Sequence, residues 1–240
     1  MKIIFTCAGN QTRWKNYMNC PKHLAPINDI PLLKKNIELF DKFFKHDNYY
    51  VSIKNKDLQT IYNVDGRILF YIPEHITDTE PAYKTVIPFI QTYNDDILLL
   101  LGDVVFSEDC VKKIYDNILQ KSFKVFGRKS GSIITGARWG ELFAFYIPQT
   151  FIPNWIDAVN KTDDLFNKKK IKRFSGWEVI TYIFALNKYG KKNKNIHKDL
   201  EYILQERLFP DSFIEINDET EDFDFPQDYD NYMKRNNFKK

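Results

Sequence analysis

The most restrictive feature of the sequence is an unbroken apolar run, Ile97–Leu101, that ends directly in Gly102-Asp103. Five consecutive aliphatic residues are typical of a central strand that is buried on both faces of a sheet. Other short apolar runs recur along the chain and predict further strands. These are Lys2–Cys7, Tyr49–Ile53, Ile68–Ile72, Phe123–Gly127, Ile133-Ile134, Leu142–Ile147 and Phe213–Ile216. Helical patterns separate many of these runs, and such alternation predicts an α/β fold.

The predicted helices have apolar residues at a helical spacing. The clearest is Pro31–Phe44, where Pro31 suits the first turn. In a second one, Ala82–Tyr93, Pro88 lies inside the pattern and predicts a kink. The remaining predicted helices are Asp57–Tyr62, Asp109–Leu119, Trp155–Val159, Trp177–Leu186 and Leu200–Leu208.

Composition excludes several classes of protein. A chain of 240 residues suits one α/β domain. Its 35 basic and 32 acidic residues leave a net charge of only +3, too balanced for bulk nucleic-acid binding. Three cysteines without a CxxC pair argue against a disulfide framework and favour a reducing compartment. No apolar stretch approaches the roughly 20 residues of a transmembrane helix, so we expect a cytoplasmic protein without a membrane partner.

The first candidate site is the loop that follows the N-terminal strand, residues 7–13, together with the segment Pro21-Lys22-His23-Leu24. A tight loop at the C-terminal end of a strand lets backbone N–H groups approach phosphates. The guanidinium of Arg13 can then hold a triphosphate through charge-assisted hydrogen bonds. Lys22 adds a compact positive charge beside it. The pattern therefore indicates a nucleotide site, and a coincidental turn with scattered basic residues is the alternative.

The order A-G-x-x-T-R, then P-K-x-L-x-P-I, resembles the signature of the sugar-phosphate and choline-phosphate nucleotidyltransferases. Their consensus is A-A-G-x-G-[TS]-R followed by P-K. The resemblance implies a Rossmann-like fold of the glycosyltransferase A type, with a mixed, mostly parallel sheet flanked by helices and an acceptor-binding insertion. Two positions depart from the consensus, since Cys7 replaces its first alanine and Gln11 its second glycine.

By this resemblance, Ala8 and Gly9 would contact the base and ribose of an NTP. Arg13 would hold the β- and γ-phosphates, and Lys22 the α-phosphate and the transition state, so these two are the candidate catalytic residues. The candidate nucleotide-binding residues are Cys7, Ala8, Gly9, Asn10, Gln11, Thr12, Thr79 and Gly102. Glycine at position 11 would permit unusual backbone angles and a close phosphate approach. Gln11 therefore either reshapes the loop or adds a side-chain contact, and a non-catalytic nucleotide-binding relative is an alternative.

Two acidic positions resemble the metal ligands of the same family. Gly102-Asp103-Val104-Val105-Phe106 matches a G-D-[VI]-x-F element whose aspartate ligates Mg²⁺. The segment 222–229 resembles D-I-D-T-P-E-D-Y, which aligns Asp224 with the second ligand and leaves Asp222 as the substitute. Two carboxylates plus phosphate oxygens make a reasonable magnesium site. A turn or cap aspartate and a solvated acidic face are the alternatives for Asp103 and Asp224, respectively.

The acceptor-binding residues are less sharply indicated. Thr77–Thr85 loosely resembles the T-N-N-I-Y-S-L segment of choline-phosphate cytidylyltransferases, which favours CTP slightly, although Thr79 could equally be a helix N-cap. Family members build the acceptor pocket from the middle of the chain. The candidates are Tyr83, Arg128, Glu141, Trp177 and Glu178, of which Trp177 could instead belong to the core.

Together these features predict an enzyme that transfers NMP from an NTP, with CTP favoured, to a small phosphorylated acceptor in surface-glycan or capsule precursor synthesis. The expected single domain has a nucleotide-binding part (1–125), an acceptor-binding part (126–215) and a metal-ligand segment with the C-terminal helix (216–240). A homodimer is left open. A glycosyltransferase of the same fold is the alternative, although its D-x-D motif is absent because Asp103 is followed by Val104-Val105.

Overall fold

The computed structural model describes residues 1–9, 11–74, 82–132, 134–189 and 211–237. The strands in these ranges are β1 (Lys2–Thr6), β2 (Pro26–Ile27), β3 (Ile30–Pro31), β4 (Tyr49–Ser52), β5 (Ile68–Tyr71), β6 (Ile97–Leu101), β7 (Val104–Val105), β8 (Lys124–Ser130), β9 (Trp139–Ile147), β10 (Phe213–Glu215) and β11 (Glu221–Asp222). The α-helices are α1 (Leu32–Phe44), α2 (Gln59–Tyr62), α3 (Ala82–Thr85), α4 (Ile87–Tyr93), α5 (Glu108–Ile118), α6 (Ile152–Asn167), α7 (Gly176–Tyr189) and α8 (Pro226–Asn237). Among these described helices, none combines the length and apolar character needed to cross a bilayer.

The main sheet has seven strands in the order β10-β8-β9-β6-β1-β4-β5. Strand β1 pairs in parallel with β4 and β6, β4 with β5, and β8 with β10. Strand β9 runs antiparallel to both of its neighbours, β6 and β8. The predicted mixed, mostly parallel α/β sheet is therefore confirmed.

Helices cover both faces of this sheet because its central strands are apolar on both sides. In β1, Ile3 and Phe5 pack into a core cluster with residues of α1 and α5. The intervening residue, Ile4, points to the opposite face and packs with residues of α4, α6 and α7. This alternation, repeated in β6, is the period-two pattern of a strand. It produces three layers with a hydrophobic core on each side of the sheet.

A third, smaller cluster joins the two halves of the chain outside the main sheet. It contains Trp14 from the N-terminal loop, Val105 from β7, and Phe223 and Tyr229 from the C-terminal segment. The indole N–H of Trp14 donates to the backbone oxygens of Tyr17 and Cys20. Strand β11 pairs antiparallel with β7, which fixes the C-terminal segment beside the end of β6.

Two predicted elements differ from the structure. The predicted helix over 82–93 is two helices, α3 and α4, with Val86 between them. Pro88 lies in the first turn of α4, where backbone N–H groups have no acceptor within the helix, so the N–H that proline lacks is not needed. The predicted strand at Ile133-Ile134 is wrong for Ile134, which lies in a turn because the hydroxyl of Ser132 accepts its backbone N–H. Residue 133 and the predicted helix over 200–208 lie outside the described residues.

The loop between Arg13 and Lys22 has unusual backbone angles. Lys15, Asn16, Met18 and Asn19 all have positive φ values, and that of Met18 is 59°. A left-handed conformation costs an L-residue with a large side chain about 1–2 kcal/mol. Met18 has 46% of its surface exposed, so little packing offsets this cost.

We therefore expect Met18→Gly to raise the free energy of unfolding by about 0.5–1 kcal/mol, after allowing for the greater chain entropy of glycine. Urea denaturation would measure the change. Met18→Ala is the matched control, because it removes the same side chain but keeps the Cβ that causes the strain. Equal effects of the two substitutions would contradict the explanation.

Candidate functional site

The site lies where β1 and β6 end side by side. These strands are parallel neighbours, and Thr6 is in register with Leu101. The two chains then leave the sheet at the same edge, with Gly102 donating its backbone N–H to the Thr6 oxygen at 3.2 Å. A Cβ at Gly102 would lie 2.5 Å from Cys7 Sγ and 2.7 Å from the Thr6 oxygen. Glycine is therefore needed at position 102, and it brings Asp103 beside the N-terminal loop.

The start of that loop presents backbone rather than side chains to solvent. Cys7 and Ala8 are buried, and burial raises the pKa of the Cys7 thiol well above its usual value, so the thiol stays neutral. Gly9 is exposed, and a Cβ added there would meet open space. Thr12 is also exposed. The described loop residues therefore leave room for a ligand to approach the backbone at Gly9, whereas Asn10 lies outside the described residues.

Two ion pairs connect the basic and acidic candidates. Lys22 Nζ donates to Asp103 Oδ2, and Arg13 Nη1 donates to Asp224 Oδ2. The first pair is largely buried, while the side chains of the second are about half exposed. Lys22 Nζ also lies 3.4 Å from the backbone oxygen of Phe223, the residue that precedes Asp224. The structure thus brings Arg13, Lys22, Asp103 and Asp224 together in one charged crevice.

Charge interactions keep the buried pair ionised. Burial by itself would lower the pKa of Lys22, but the carboxylates of Asp103 and Asp222 outweigh it and raise that pKa. Burial would raise the pKa of Asp103, but the Lys22 ammonium outweighs it and lowers that pKa. For Asp222, burial and the neighbouring Asp103 carboxylate both raise the pKa well above its usual range.

Asp222 is the residue that best tests whether a metal ion fits here. It pairs opposite Val104 in the two-stranded β7–β11 ladder, close to Asp103. Its Oδ1 is buried, and no hydrogen-bond partner for it exists in the described part of the chain. Buried carboxylate oxygens without partners are uncommon, and such oxygens are the ligands that Mg²⁺ prefers. The residues present therefore fit a magnesium ion that would also need ligands from substrate.

No group of three or more His, Cys, Asp or Glu side chains in the described ranges could hold a metal ion by itself. Mg²⁺ characteristically takes one or two carboxylates and completes its shell with water and phosphate oxygens. Asp103 and Asp222 together provide this small number of carboxylates.

A cavity of about 600 Å³ opens in front of the acidic residues. Three of the five predicted acceptor residues, Tyr83, Glu141 and Trp177, are in its wall. Arg13, Asp222 and Asp224 line the same cavity, so it adjoins the charged crevice directly. The cavity therefore brings these three predicted acceptor residues next to the charged crevice.

Hydrogen bonds hold the wall of this cavity in place. The Tyr83 hydroxyl donates to the Phe174 backbone oxygen at 3.1 Å, and Trp177 Nε1 donates to the Gly140 oxygen at 3.2 Å. Glu141 Oε2 is buried without a hydrogen bond from the described residues. Burial and the nearby Glu221 carboxylate raise the pKa of Glu141 to about 8, so this carboxyl is mostly protonated at neutral pH.

The other two predicted acceptor residues, Arg128 and Glu178, are not among the described residues that line the cavity. Arg128 Nη1 donates to Glu221 Oε1 at 2.9 Å, and its other nitrogen donates to the backbone oxygens of Asp218 and Thr220. It thereby anchors the segment that carries Asp222. Glu178 accepts from the Ser175 backbone N–H at 2.9 Å at the start of α7 and from Arg173 Nε at 2.6 Å.

Sequence reasoning missed several residues of the site. Arg138 and Arg173 contribute to the cavity wall, and no motif marks either of them. Tyr62 reaches His23 across 39 positions of sequence, which no local pattern could indicate. Asp222 was identified only as a substitute ligand. Thr79 lies outside the described residues.

Comparison with solved structures places this arrangement in a known fold. A glucose-1-phosphate thymidylyltransferase structure from Bacillus anthracis superposes with a TM-score of 0.57 at 11% identity, over 98% of this chain and 94% of that one. CTP:phosphocholine cytidylyltransferase from Streptococcus pneumoniae gives 0.54 at 12% identity, over 98% of both chains. UDP-glucose pyrophosphorylase bound to UDP-glucose gives 0.55 at 12% identity, over 100% of this chain and 99% of that one.

Sequence comparison gives less. No protein-family model matches the chain. The bifunctional protein GlmU of Methanococcus aeolicus is 25% identical over 120 residues, which are 49% of this chain and 28% of that protein. The chain thus aligns with under a third of this curated relative, whereas the solved structures align along nearly their whole length. The chain therefore has the Rossmann-like fold of the nucleotidyltransferases.

Proposed function

We propose that this protein is a nucleotidyltransferase that joins NMP from an NTP to a small phosphorylated acceptor and releases pyrophosphate. The observation that carries the proposal is the crevice in which Lys22 meets Asp103 and Arg13 meets Asp224. It adjoins a cavity of about 600 Å³, large enough for a small metabolite. The nucleotidyltransferases that share the fold support the same activity.

In the proposed reaction, an acceptor phosphate oxygen attacks the α-phosphorus of the NTP in line. A new P–O bond forms, the α–β phosphoanhydride bond breaks, and the electron pair leaves with pyrophosphate. The attacking phosphate is already an anion, so no general base and no covalent enzyme intermediate are needed. Catalysis then consists of positioning the reactants and neutralising charge.

The chain's own cations supply part of that neutralisation. Lys22 would stabilise charge on the α-phosphate, and the more exposed Arg13 would stabilise the departing pyrophosphate. In the free protein both cations are engaged with carboxylates, so binding of the triphosphate would exchange those partners for phosphate oxygens. Asp103 and Asp224, with Asp222 as a further candidate, would hold Mg²⁺. When bound, this ion would act as a Lewis acid toward the phosphate oxygens.

The finer parts of the proposal concern substrates and organisation. CTP is the favoured donor, and surface-glycan or capsule precursors in the cytoplasm are the favoured products. Residues 1–125 would bind the nucleotide, 126–215 the acceptor, and 216–240 would complete the metal site. The likeness to a phosphocholine cytidylyltransferase supports CTP. Because a thymidylyltransferase and a UDP-glucose pyrophosphorylase share the fold, the other nucleotides are tested as well.

The experiment has a binding arm and a turnover arm. Thermal shift with CTP, UTP, dTTP, GTP and ATP, each with Mg²⁺, should give at least one concentration-dependent rise in Tm. Pyrophosphate release with that nucleotide should then require an acceptor, tested with phosphocholine, glucose 1-phosphate and polyol phosphates. Reactions without acceptor and reactions with nucleotide-sugars are the controls.

The outcomes separate the competing functions. Acceptor-dependent pyrophosphate release supports the proposal. Turnover of a nucleotide-sugar without pyrophosphate release would favour the glycosyltransferase alternative. Nucleotide binding without turnover of any acceptor would favour a non-catalytic relative, and no response to any nucleotide would exclude a nucleotide site.

A further inference from the structure

Gln11 stands where the nucleotidyltransferase signature has a glycine, and the structure gives its side chain a definite set of partners. The backbone at Gln11 is not among the positive-φ positions of the described residues. The conformational freedom of glycine is therefore not required at this position. The loop instead continues into a turn in which Gln11 accepts backbone N–H groups of Trp14 and Lys15. The departure from the signature thus leaves the loop backbone unstrained at this residue.

The Gln11 side chain turns toward the lysine segment. Its Oε1 accepts the backbone N–H of Lys22 at 2.6 Å. Its Nε2 lies 3.4 Å from the Tyr62 hydroxyl and 3.4 Å from His23 Nδ1. One amide thereby connects the N-terminal loop (residues 7–13), the Lys22 backbone and α2.

The partners of the Gln11 amide group are themselves fixed. Tyr62 and His23 are buried, and the Tyr62 hydroxyl lies 2.8 Å from His23 Nδ1. Burial lowers the pKa of His23 to about 3, so the imidazole is neutral and Nδ1 can accept the hydroxyl proton. The phenolic oxygen then accepts from Gln11 Nε2. The Lys22 backbone N–H can only donate, so the atom that faces it must be Oε1, and this determines the orientation of the amide.

The Lys22 backbone needs such a support. Lys22 begins a short 3₁₀ turn, Lys22–Leu24, between Pro21 and Ala25. Its preceding residue is a proline, which has no N–H with which to anchor the segment. From this backbone, the side chain reaches Asp103. Displacement of a catalytic group by about 1 Å can reduce a rate 100-fold.

We propose that Gln11 is a positioning residue, which holds the Lys22 peptide so that the Lys22 ammonium lies at the reacting phosphate. The inference rests on the proposed function for its rate effect but not for the contact itself. Gln11 acts through Lys22 and does not need to touch the nucleotide. At this position the signature has a glycine with a flexible backbone, whereas this chain has a side chain that makes hydrogen bonds.

The test compares Gln11→Ala with Gln11→Glu, which keeps an acceptor oxygen for the Lys22 N–H. Gln11→Ala should lower kcat by about 10- to 100-fold with a smaller change in the KM for NTP, because the reacting geometry is disturbed more than binding. Gln11→Glu should recover most of that loss. In a Lys22→Ala background, Gln11→Ala should cause no further loss, since the group it positions is gone.

Hydrogen exchange of the Lys22 backbone amide, measured in the substrate-free protein, tests the contact without turnover. Exchange should accelerate in Gln11→Ala and, to a smaller degree, in Tyr62→Phe, which removes the hydroxyl that orients the amide. Gln149→Ala is the matched control, because Gln149 is an exposed glutamine in a different part of the fold. It should change neither exchange at Lys22 nor kcat.

Two results would overturn the positioning role: unchanged exchange and kcat in Gln11→Ala, or an equal loss of kcat in the wild-type and Lys22→Ala backgrounds. A wild-type protein without any turnover, in which Gln11→Ala still accelerates exchange at Lys22, would overturn the proposed function and leave the contact established.

Discussion

Asp103→Asn should lower kcat by at least about 10³-fold while the protein stays folded. The substitution keeps the shape of the side chain but removes the charge that faces Lys22 and the proposed magnesium ion. Lys22 would still be near the carboxylates of Asp222 and Asp224, which both act to raise its pKa. The substitution also removes the Asp103 charge that helps to raise the pKa of Asp222, so Asp222 can ionise beside Lys22 and the protein should stay folded.

The measurement is pyrophosphate release at saturating NTP and acceptor, with the Tm of each variant recorded. Asp116→Asn is the matched control, because it makes the same chemical change at an exposed ion pair on α5. It should leave kcat unaltered. Near-normal turnover of Asp103→Asn would show that this carboxylate is not required for catalysis and would contradict its assignment as a magnesium ligand.

The largest stability effect is expected from Arg128→Met, which should lower the free energy of unfolding by about 3–5 kcal/mol. Only 7% of the Arg128 side chain and 1% of the Glu221 side chain are exposed. Methionine fills a similar volume but leaves the Glu221 carboxylate buried without its cation. It also removes the hydrogen bonds that hold the backbone of Asp218 and Thr220.

Urea denaturation would measure this loss, with Arg67→Met as the control. Arg67 pairs with Asp41 and Asp65, but 32% of its side chain is exposed, so water can replace its contacts and the loss should be smaller than at Arg128. A second substitution, Glu221→Gln in the Arg128→Met protein, should recover part of the loss by neutralising the buried charge. Similar losses for Arg128→Met and Arg67→Met would show that the buried network has no special weight.

The sheet was predictable because its strands carry strong local signals. The five aliphatic residues of β6 require burial on both faces, and the alternation of Ile3, Ile4 and Phe5 supplies residues to both cores. The predicted strand at Ile133-Ile134 failed at Ile134 for a local reason. A serine hydroxyl that accepts nearby backbone N–H groups competes with strand pairing.

The candidate site was partly predictable, because its basic and acidic residues belong to short motifs at strand ends. The motif alignment favoured Asp224 and left Asp222 as the substitute, since both lie in one acidic run. The structure distinguishes them, because the pairing of β11 with β7 leaves Asp222 Oδ1 buried whereas Asp224 is half exposed beside Arg13. Arg128 was assigned to the acceptor pocket because a sequence does not reveal that buried carboxylates and carbonyls already engage its guanidinium.

The contacts of Gln11 could not be predicted from the sequence because they are long-range. The Gln11–Tyr62 contact spans 51 positions, and Tyr62 belongs to a helix of only one turn. Neither residue type nor spacing connects the two. Such contacts follow from the tertiary packing of loops, for which a single sequence carries no periodic signal.

The separation of the site's halves along the chain has a consequence for biosynthesis. Arg13 and Asp224 are 211 positions apart, so a ribosome synthesises all seven strands of the main sheet before it adds Asp224. Trp14 likewise lacks its aromatic neighbours Phe223 and Tyr229 until the C-terminal segment is synthesised. A nascent chain therefore cannot acquire a complete crevice by vectorial folding from its first residue, and a stop codon at position 224 removes Asp224 while leaving all seven strands of the main sheet encoded.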